Sequence, residues 1–277
     1  MAGLDQYPVQ SAMHPSSSWV LVTGGATRLG REIALAFARA GWDVLCHYRH
    51  SRIAAEATAG EIAALGRQCR LIAADLAKPD AAQDLLSLCA AEVHAAPRCI
   101  VNNASLFDAD DAASANADSL QQHFATNTIT PLLLANALAL QVRAQSPDSH
   151  GRHCVIHLLD QKVHNLNPDY FSYTVSKLAL ERSVALQAQA LAPQVRVCGL
   201  SPGLMYLSGP QTQENFDRAS RVNLLQQPID PAAVARAAVF IAENTALNGC
   251  TVQADNGQHL VPLARDVMFA MGENPAP

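Results

Sequence analysis

From Trp19 onward the chain alternates between short, nearly continuous apolar runs and longer stretches whose apolar positions recur at helical spacing. SWVLVTG (18–24) predicts a buried strand. RLGREIALAFARAG (28–41), apolar at 33, 34, 37 and 38, predicts a helix stopped by Gly41. WDVLCHY (42–48) predicts a second strand, and SRIAAEATAGEIAALG (51–66) a second helix with Ser51 as N-cap and Gly66 as its stop. Further strands are expected at 68–76, 97–104, 153–160, 194–203 and 249–255. Helices are expected at 80–93, about 118–145 in spite of Pro131, about 170–191, and 231–243. Strands alternating with helices of this length mean βαβ units and a parallel sheet. The apolar runs fit strands covered on both faces. The expectation is a single-domain, doubly wound α/β fold of about seven strands over 18–277, preceded by a loose arm at 1–17. The stretches 108–119 and 205–220 are expected as loops. Each follows the carboxyl end of a strand, where such sheets bind ligands.

Composition narrows the class. Of 277 residues, 49% are hydrophobic and 16% charged, enough for a large core and unlike a disordered chain. No run nears the roughly 18 apolar residues that span a bilayer. The first residues carry an acid and two prolines and have no apolar signal core, so a cytoplasmic protein is expected. A net charge of −5 without a basic block argues against nucleic acid as a partner. Seven cysteines without a Cys-x-x-Cys read as reduced thiols. His47/His50 and His150/His153 lack further ligands beside them, so no metal is expected.

Strand one runs into Thr23-Gly24-Gly25-Ala26-Thr27-Arg28-Leu29-Gly30 and then a helix. Glycines there allow a tight turn and close approach of backbone N–H groups to a pyrophosphate, whose charge the helix N-terminus favours. The motif alone is weak; between a first strand and a first helix it is stronger, the alternative being a turn without a ligand. Strand two ends His47-Tyr48-Arg49-His50-Ser51-Arg52, with no acid before Glu56. An acid would suit a ribose 2′-hydroxyl, whereas two arginines and a serine suit a 2′-phosphate, favouring NADP over NAD. The alternative is a solvated basic turn.

Tyr173 and Lys177 stand four apart, on one face of a helix. With five tyrosines and three lysines, chance Tyr-x-x-x-Lys pairs number about 0.05 for the chain. An ammonium near a phenol is expected to lower its pKa toward the range useful for proton transfer. Asn127 is placed to orient the lysine through water.

Over about 18–258 these features resemble the short-chain dehydrogenase/reductase family: Thr23-Gly24 with Gly30, Asn102-Asn103-Ala104, Asn127, Tyr173 with Lys177, and Ser201-Pro202-Gly203. The resemblance implies a Rossmann-type fold that holds a nicotinamide cofactor, with the tyrosine as proton donor or acceptor. Two positions depart from the family pattern. Arg28 replaces a glycine, and Asp160, thirteen before Tyr173, replaces a serine. Read structurally, Asp160 is a cap at a strand end.

Both departures resemble the pteridine reductase branch, as do Arg28-Leu29-Gly30-Arg31, His47-Tyr48 with the following Arg, His and Ser, Asn102-Asn103-Ala104-Ser105-x-Phe107, and Tyr170. Arg49 and His50 stand in swapped order relative to that branch's common pattern, and little in 205–229 matches it. The branch implies NADPH reduction of a dihydropterin, with Asp160, Tyr173 and Lys177 as proton relay and Lys177 on the nicotinamide ribose. It implies a pterin sandwiched between nicotinamide and Phe107, although Phe107 also reads as core. It implies Arg28 and Ser105 on phosphate and pterin edges, with Tyr170 at the substrate, and cofactor contacts from His47, Tyr48, Arg49, His50, Ser51, Asn103, Ala104, Pro202 and Gly203. Asp75 and Leu76 would flank adenine, 205–229 would close over the substrate, and the assembly would be a homotetramer. Reduction of another carbonyl, or nucleotide sensing without catalysis, are the alternatives.

Overall fold

The alternation builds a seven-stranded, all-parallel sheet in the order β3-β2-β1-β4-β5-β6-β7. The strands are β1 Trp19–Val22, β2 Asp43–Tyr48, β3 Cys69–Ala73, β4 Cys99–Asn102, β5 His153–Leu158, β6 Val195–Pro202 and β7 Thr251–Ala254. The computed structural model describes residues 18–145, 148, 150–209 and 211–272; the arm expected over 1–17 lies outside them. Alternate residues of each strand feed opposite faces. Val20, Val22, Val44, Val101 and Ile156 pack under α1 (Arg28–Arg39) and α8 (Pro231–Glu243). Leu21, Leu45, Ile100, Val155 and Val197 pack against α3 (Ala81–Val93) and α5 (Thr130–Gln145). Each such Leu or Ile contributes about 1.5–3 kcal/mol on burial. Because β1 has β2 on one side and β4 on the other, the chain reverses its winding there. A crevice opens at the carboxyl ends of β1 and β4. Among the described residues no helix is long and apolar enough to cross a membrane.

Three local expectations are corrected. The helix expected across 118–145 is α4 (Ala117–Phe124), a π turn (Ala125–Ile129) and then α5. Pro131 has no N–H and its ring crowds the carbonyl of residue 127, so the wider turn takes up the misfit. The stretch 205–220, expected as loop, contains α7 (Gln213–Ala219), started by Thr212, whose Oγ1 accepts from Asn215 N at 3.1 Å. Ser51 does precede α2 (Arg52–Ala64), but its hydroxyl makes no capping bond.

Helix α6 (Phe171–Leu191) is pinned at its start. Asp110, in the acidic stretch 108–119, accepts from Phe171 N through its carbonyl (3.3 Å) and from Ser172 N through Oδ1 (3.0 Å). That stretch therefore fixes the helix carrying Tyr173 and Lys177 rather than merely connecting elements. Past β7 the chain turns back over the crevice and ends, among the described residues, in the short helix α9 (Val267–Ala270).

Candidate active site

The crevice encloses a cavity of about 460 Å³ lined by residues from the ends of β1, β4, β5 and β6, from α6, from 203–211 and from 258–268. The turn after β1 is knitted to the one after β4. Thr23 Oγ1 accepts from Asn103 N (2.9 Å) and Ala104 N (3.0 Å), and Asn103 Nδ2 donates to Thr23 O (2.9 Å). Gly30 is needed for close approach: a Cβ there would lie 2.0 Å from Gly24 O and 2.6 Å from Asn103 Nδ2. Gly30→Ala is expected to destabilise the fold by about 1–3 kcal/mol, read as a lower urea midpoint. An unchanged midpoint would show slack in this turn.

Arg28, standing where the family pattern has a glycine, holds φ at +50°, the left-handed conformation glycine adopts cheaply. Its Nη2 donates to Leu207 O at 3.1 Å and its Cζ lies 5.1 Å from the Tyr206 ring centroid, so it bridges the cleft mouth. The N-terminus of α1 fits an anion. Thr27 makes no side-chain cap bond, and the first turn holds no acid.

Of the residues singled out in the sequence, Gly24, Arg28, Leu29, Gly30, Asn103, Ala104, Ser105, Phe107, Asp160, Tyr170, Tyr173, Lys177, Pro202 and Gly203 line the cavity. The others sit around it. His47 is buried behind the glycine turn. Its Nδ1 accepts from Gly24 N at 3.1 Å, and Nε2 lies 3.1 Å from Ala74 O. Those two bonds assign the neutral tautomer with its proton on Nε2, and burial lowers its pKa to about 4. His47 thus braces the turn, where a contact with phosphate was expected. Tyr48, Arg49, His50 and Ser51 follow at the end of β2. Arg49 pairs with Asp75 at 3.1 Å, and Leu76 is buried with its carbonyl accepting from Thr130 Oγ1.

The side chain of Asn127 is spent within the protein. Its Oδ1 accepts from Leu106 N (2.8 Å) and Ser105 Oγ (3.2 Å), while Nδ2 donates to Leu106 O (2.9 Å) and Ser176 Oγ (3.0 Å). An asparagine side chain has four hydrogen-bonding places, and all are filled by the protein. It braces the 105–107 segment against α6; the water bridge to Lys177 has no side-chain atom left to use.

The polar centre joins β5 to α6. Tyr173 Oη donates to Asp160 Oδ2 at 2.7 Å, and Asp160 Oδ1 accepts from Lys162 N at 2.9 Å. Asp160 therefore caps the short turn Gln161–Val163 and faces the phenol at once. Lys177 Nζ donates to Leu158 O at 2.7 Å and lies 5.8 Å from the Tyr173 ring centroid. The tyrosine expectation is reversed: burial, then the Asp160 charge, hold Tyr173 well above the usual phenol value. The carboxylate is in contact with the phenol and outweighs the more distant ammonium. Burial also raises Asp160, against the Lys162 N–H and the Tyr173 hydroxyl that favour its ionised form. Burial lowers Lys177 to about 8, with Asp160 opposing.

An aromatic wall faces this centre. Phe107 stacks on Tyr170 (centroids 4.1 Å, 17°) and meets Tyr173 edge-on (4.6 Å, 86°). Tyr170 holds φ +56°, ψ +53° as it enters α6, and burial lifts its pKa to about 12. Phe107 is 38% exposed, so it is a wall and not core. The sequence reading missed Lys162, Tyr206, Gln258, Asp266 and Met268, all of which line the cavity. Three of the four tyrosines among the described residues and two of the three lysines gather here, and that scarcity was the available signal.

A dinucleotide-type crevice with a Tyr–Lys helix at its edge defines the class. The chain belongs to the short-chain dehydrogenase/reductase family and is an oxidoreductase by class: the family model described as Enoyl-(Acyl carrier protein) reductase matches residues 24–259. Within the family it is similar to Pteridine reductase 1 of Leishmania tarentolae, at 31% identity over 89% of this chain and 98% of that one. It is also similar to Dihydromonapterin reductase of Escherichia coli K12, at 27% identity over 87% and 96%. Among solved structures, FolM Alternative dihydrofolate reductase 1 from Brucella canis, complexed with NADP, superposes with a TM-score of 0.81 at 34% identity over 88% and 94%.

Proposed function

We propose that the protein uses NADPH to reduce a C=N bond of a dihydropterin, giving the tetrahydro form. The observation that carries this reading is the Asp160–Tyr173 pair, 2.7 Å apart and facing an aromatic wall fit to stack a flat heterocycle. The relatives named for pteridine and dihydromonapterin reduction, and the neighbour complexed with NADP, support it.

The residues fit the cofactor by class. The uncapped α1 N-terminus and the Gly24–Gly30 turn would take the pyrophosphate. Arg49, His50 and Ser51 at the end of β2 would take the 2′-phosphate, with Arg49 exchanging part of its pairing to Asp75. Lys177 would hold the nicotinamide ribose, and Asp75 and Leu76 would flank adenine. Bound NADPH supplies the hydride.

The protein must supply one proton to the nitrogen beside the reduced carbon. Were Tyr173 to give it alone, a phenolate would be left against a carboxylate, two negative charges in a buried site. Asp160 must therefore hold a proton first. Tyr173 then passes its proton to the substrate nitrogen as it takes the one on Asp160. The product state is a phenol donating to a carboxylate. Asp160 is reprotonated from solvent before the next turnover.

Oxidation of NADPH is the test, with dihydrobiopterin, dihydromonapterin and dihydrofolate as substrates and NADH as control. The expected result is turnover of at least one pterin, much faster with NADPH. Turnover of simple carbonyls without any pterin activity would replace this reading with a carbonyl reductase. Tight NADPH binding without turnover of either class would replace it with a sensing role.

A further inference from the structure

Two of the three lysines in the chain lie in this cleft, Lys162 2% exposed and Lys177 3%. The proposed function places Lys177 on the nicotinamide ribose and gives no task to Lys162. A lysine is almost never this buried unless paired, and Lys162 is paired. Its ammonium donates to Asp266 Oδ2 at 2.9 Å and to Asn167 Oδ1, and lies 5.5 Å from the Tyr170 ring centroid. Its backbone N–H is the one that Asp160 Oδ1 accepts, at 2.9 Å. One residue thus touches Asp160 through its backbone and the C-terminal segment through its side chain.

That segment is fastened further along. Asp266 N donates to Asp169 Oδ2 at 2.7 Å, and Asp266 Oδ1 accepts from Met268 N at 3.1 Å to start α9. Asp169 also takes Arg265 Nη2 at 2.6 Å, and the Arg265 guanidinium lies 5.2 Å from the Phe269 ring centroid. Phe269 stacks on Tyr170 at 6.1 Å, and Tyr170 on Phe107. Residues 265–269 form a strap held on both sides of Tyr170. The strap sets Met268 against Tyr170 and Tyr173 in the cleft wall.

We propose that Lys162 is a positioning residue: with the partly exposed Asp266 it forms an ion pair that locks the 265–269 strap against the Asp160–Tyr173 pair and fixes how the Asp160 carboxyl is held. The proposal rests on the reading of Asp160 and Tyr173 as the proton relay. The titratable groups that face Asp160 are Lys162 from its own turn, Tyr173 and Lys177 from α6, and Asp266 from the strap. The two members of the ion pair act on it with opposite sign, Lys162 favouring the carboxylate and Asp266 the acid. A residue that only filled space would leave that balance alone.

The test titrates the carboxyl carbon of Asp160 by carbon-13 NMR in the full-length protein with NADPH bound. The resonance is identified by its loss in Asp160→Asn. Lys162→Met is expected to raise the titration midpoint by about one pH unit and Asp266→Asn to lower it by a similar amount. The double variant is expected to return close to the wild-type midpoint, since one charge of each sign is gone. Single-variant midpoints that do not move, or that move in the same direction, would overturn the proposal. If Lys162→Met does not fold, Asp266→Asn alone decides, because its midpoint must fall. This readout needs no turnover. A wild-type protein inactive on every pterin sinks the function proposed above, whereas unmoved midpoints in an active enzyme sink only the role of Lys162.

Discussion

Tyr173→Phe is expected to lower kcat for pterin reduction by about 10²–10⁴-fold, the range for loss of a positioned proton donor, while NADPH binding stays close to wild type. The substitution removes one oxygen and keeps the ring, so the edge-on contact with Phe107 at 4.6 Å and the packing against Met268 persist. What is lost is the group 2.7 Å from Asp160 Oδ2 that hands a proton on. The carboxyl then keeps the Lys162 N–H and loses the donor that favours its ionised form, so its pKa rises further. A pterin C=N bond left without its proton cannot complete reduction, whatever the position of the hydride. The measurement pairs a fluorescence titration of NADPH with steady-state kinetics. A kcat within threefold of wild type, with binding intact, would mean that another group delivers the proton. A large loss of NADPH affinity would mean that the phenol mainly holds the cofactor.

The reach of the sequence differs from element to element. The parallel sheet was readable because burial on both faces leaves Val20–Val22 and Cys99–Val101 as unbroken apolar runs. Tyr173 and Lys177 were readable because helical spacing alone puts them on one face. Asp160 was readable as a departure from a pattern, but not its two bonds, because they depend on where the next turn puts the Lys162 N–H. His47 and Asn127 were placed in the right neighbourhood, but the bonds their side chains make were not readable. Their identities announce polarity, and only the packing shows that the glycine turn and the 105–107 segment consume it. The strap was not readable at all. Lys162 and Asp266 are 104 residues apart, with no local pattern to connect them. Helix α7 was hidden because a single turn-forming threonine starts it inside a polar stretch.

Asp160→Asn is expected to remove most of the activity and to stabilise the protein at neutral and alkaline pH. Asparagine keeps the size of the side chain and can still meet Tyr173 and the Lys162 N–H, but it carries no proton to relay. A loss of about 10²-fold or more in kcat follows. The stability change has the opposite sign. Burial raises the folded-state pKa of Asp160 above its unfolded value of about 3.9. For such a group the favourable state is fully present below the unfolded pKa and is lost as pH rises through the folded pKa. Above that folded value the wild type carries an ionised carboxylate in a place that resists it; the variant does not. The advantage of Asp160→Asn in thermal midpoint should be largest above the folded pKa and vanish below about pH 4. The same titration should show in the wild-type kinetics, where kcat/KM falls as pH rises through the raised pKa because the proton needed by Tyr173 is gone. Activity and stability are thus opposed at one atom pair, the arrangement expected where a site holds a strained charge for chemistry. Paired thermal melts and kcat/KM profiles across pH decide it. If the variant were less stable than wild type at pH 8, or kept full pterin turnover, Asp160 would be a structural cap and the relay would have to run through another group.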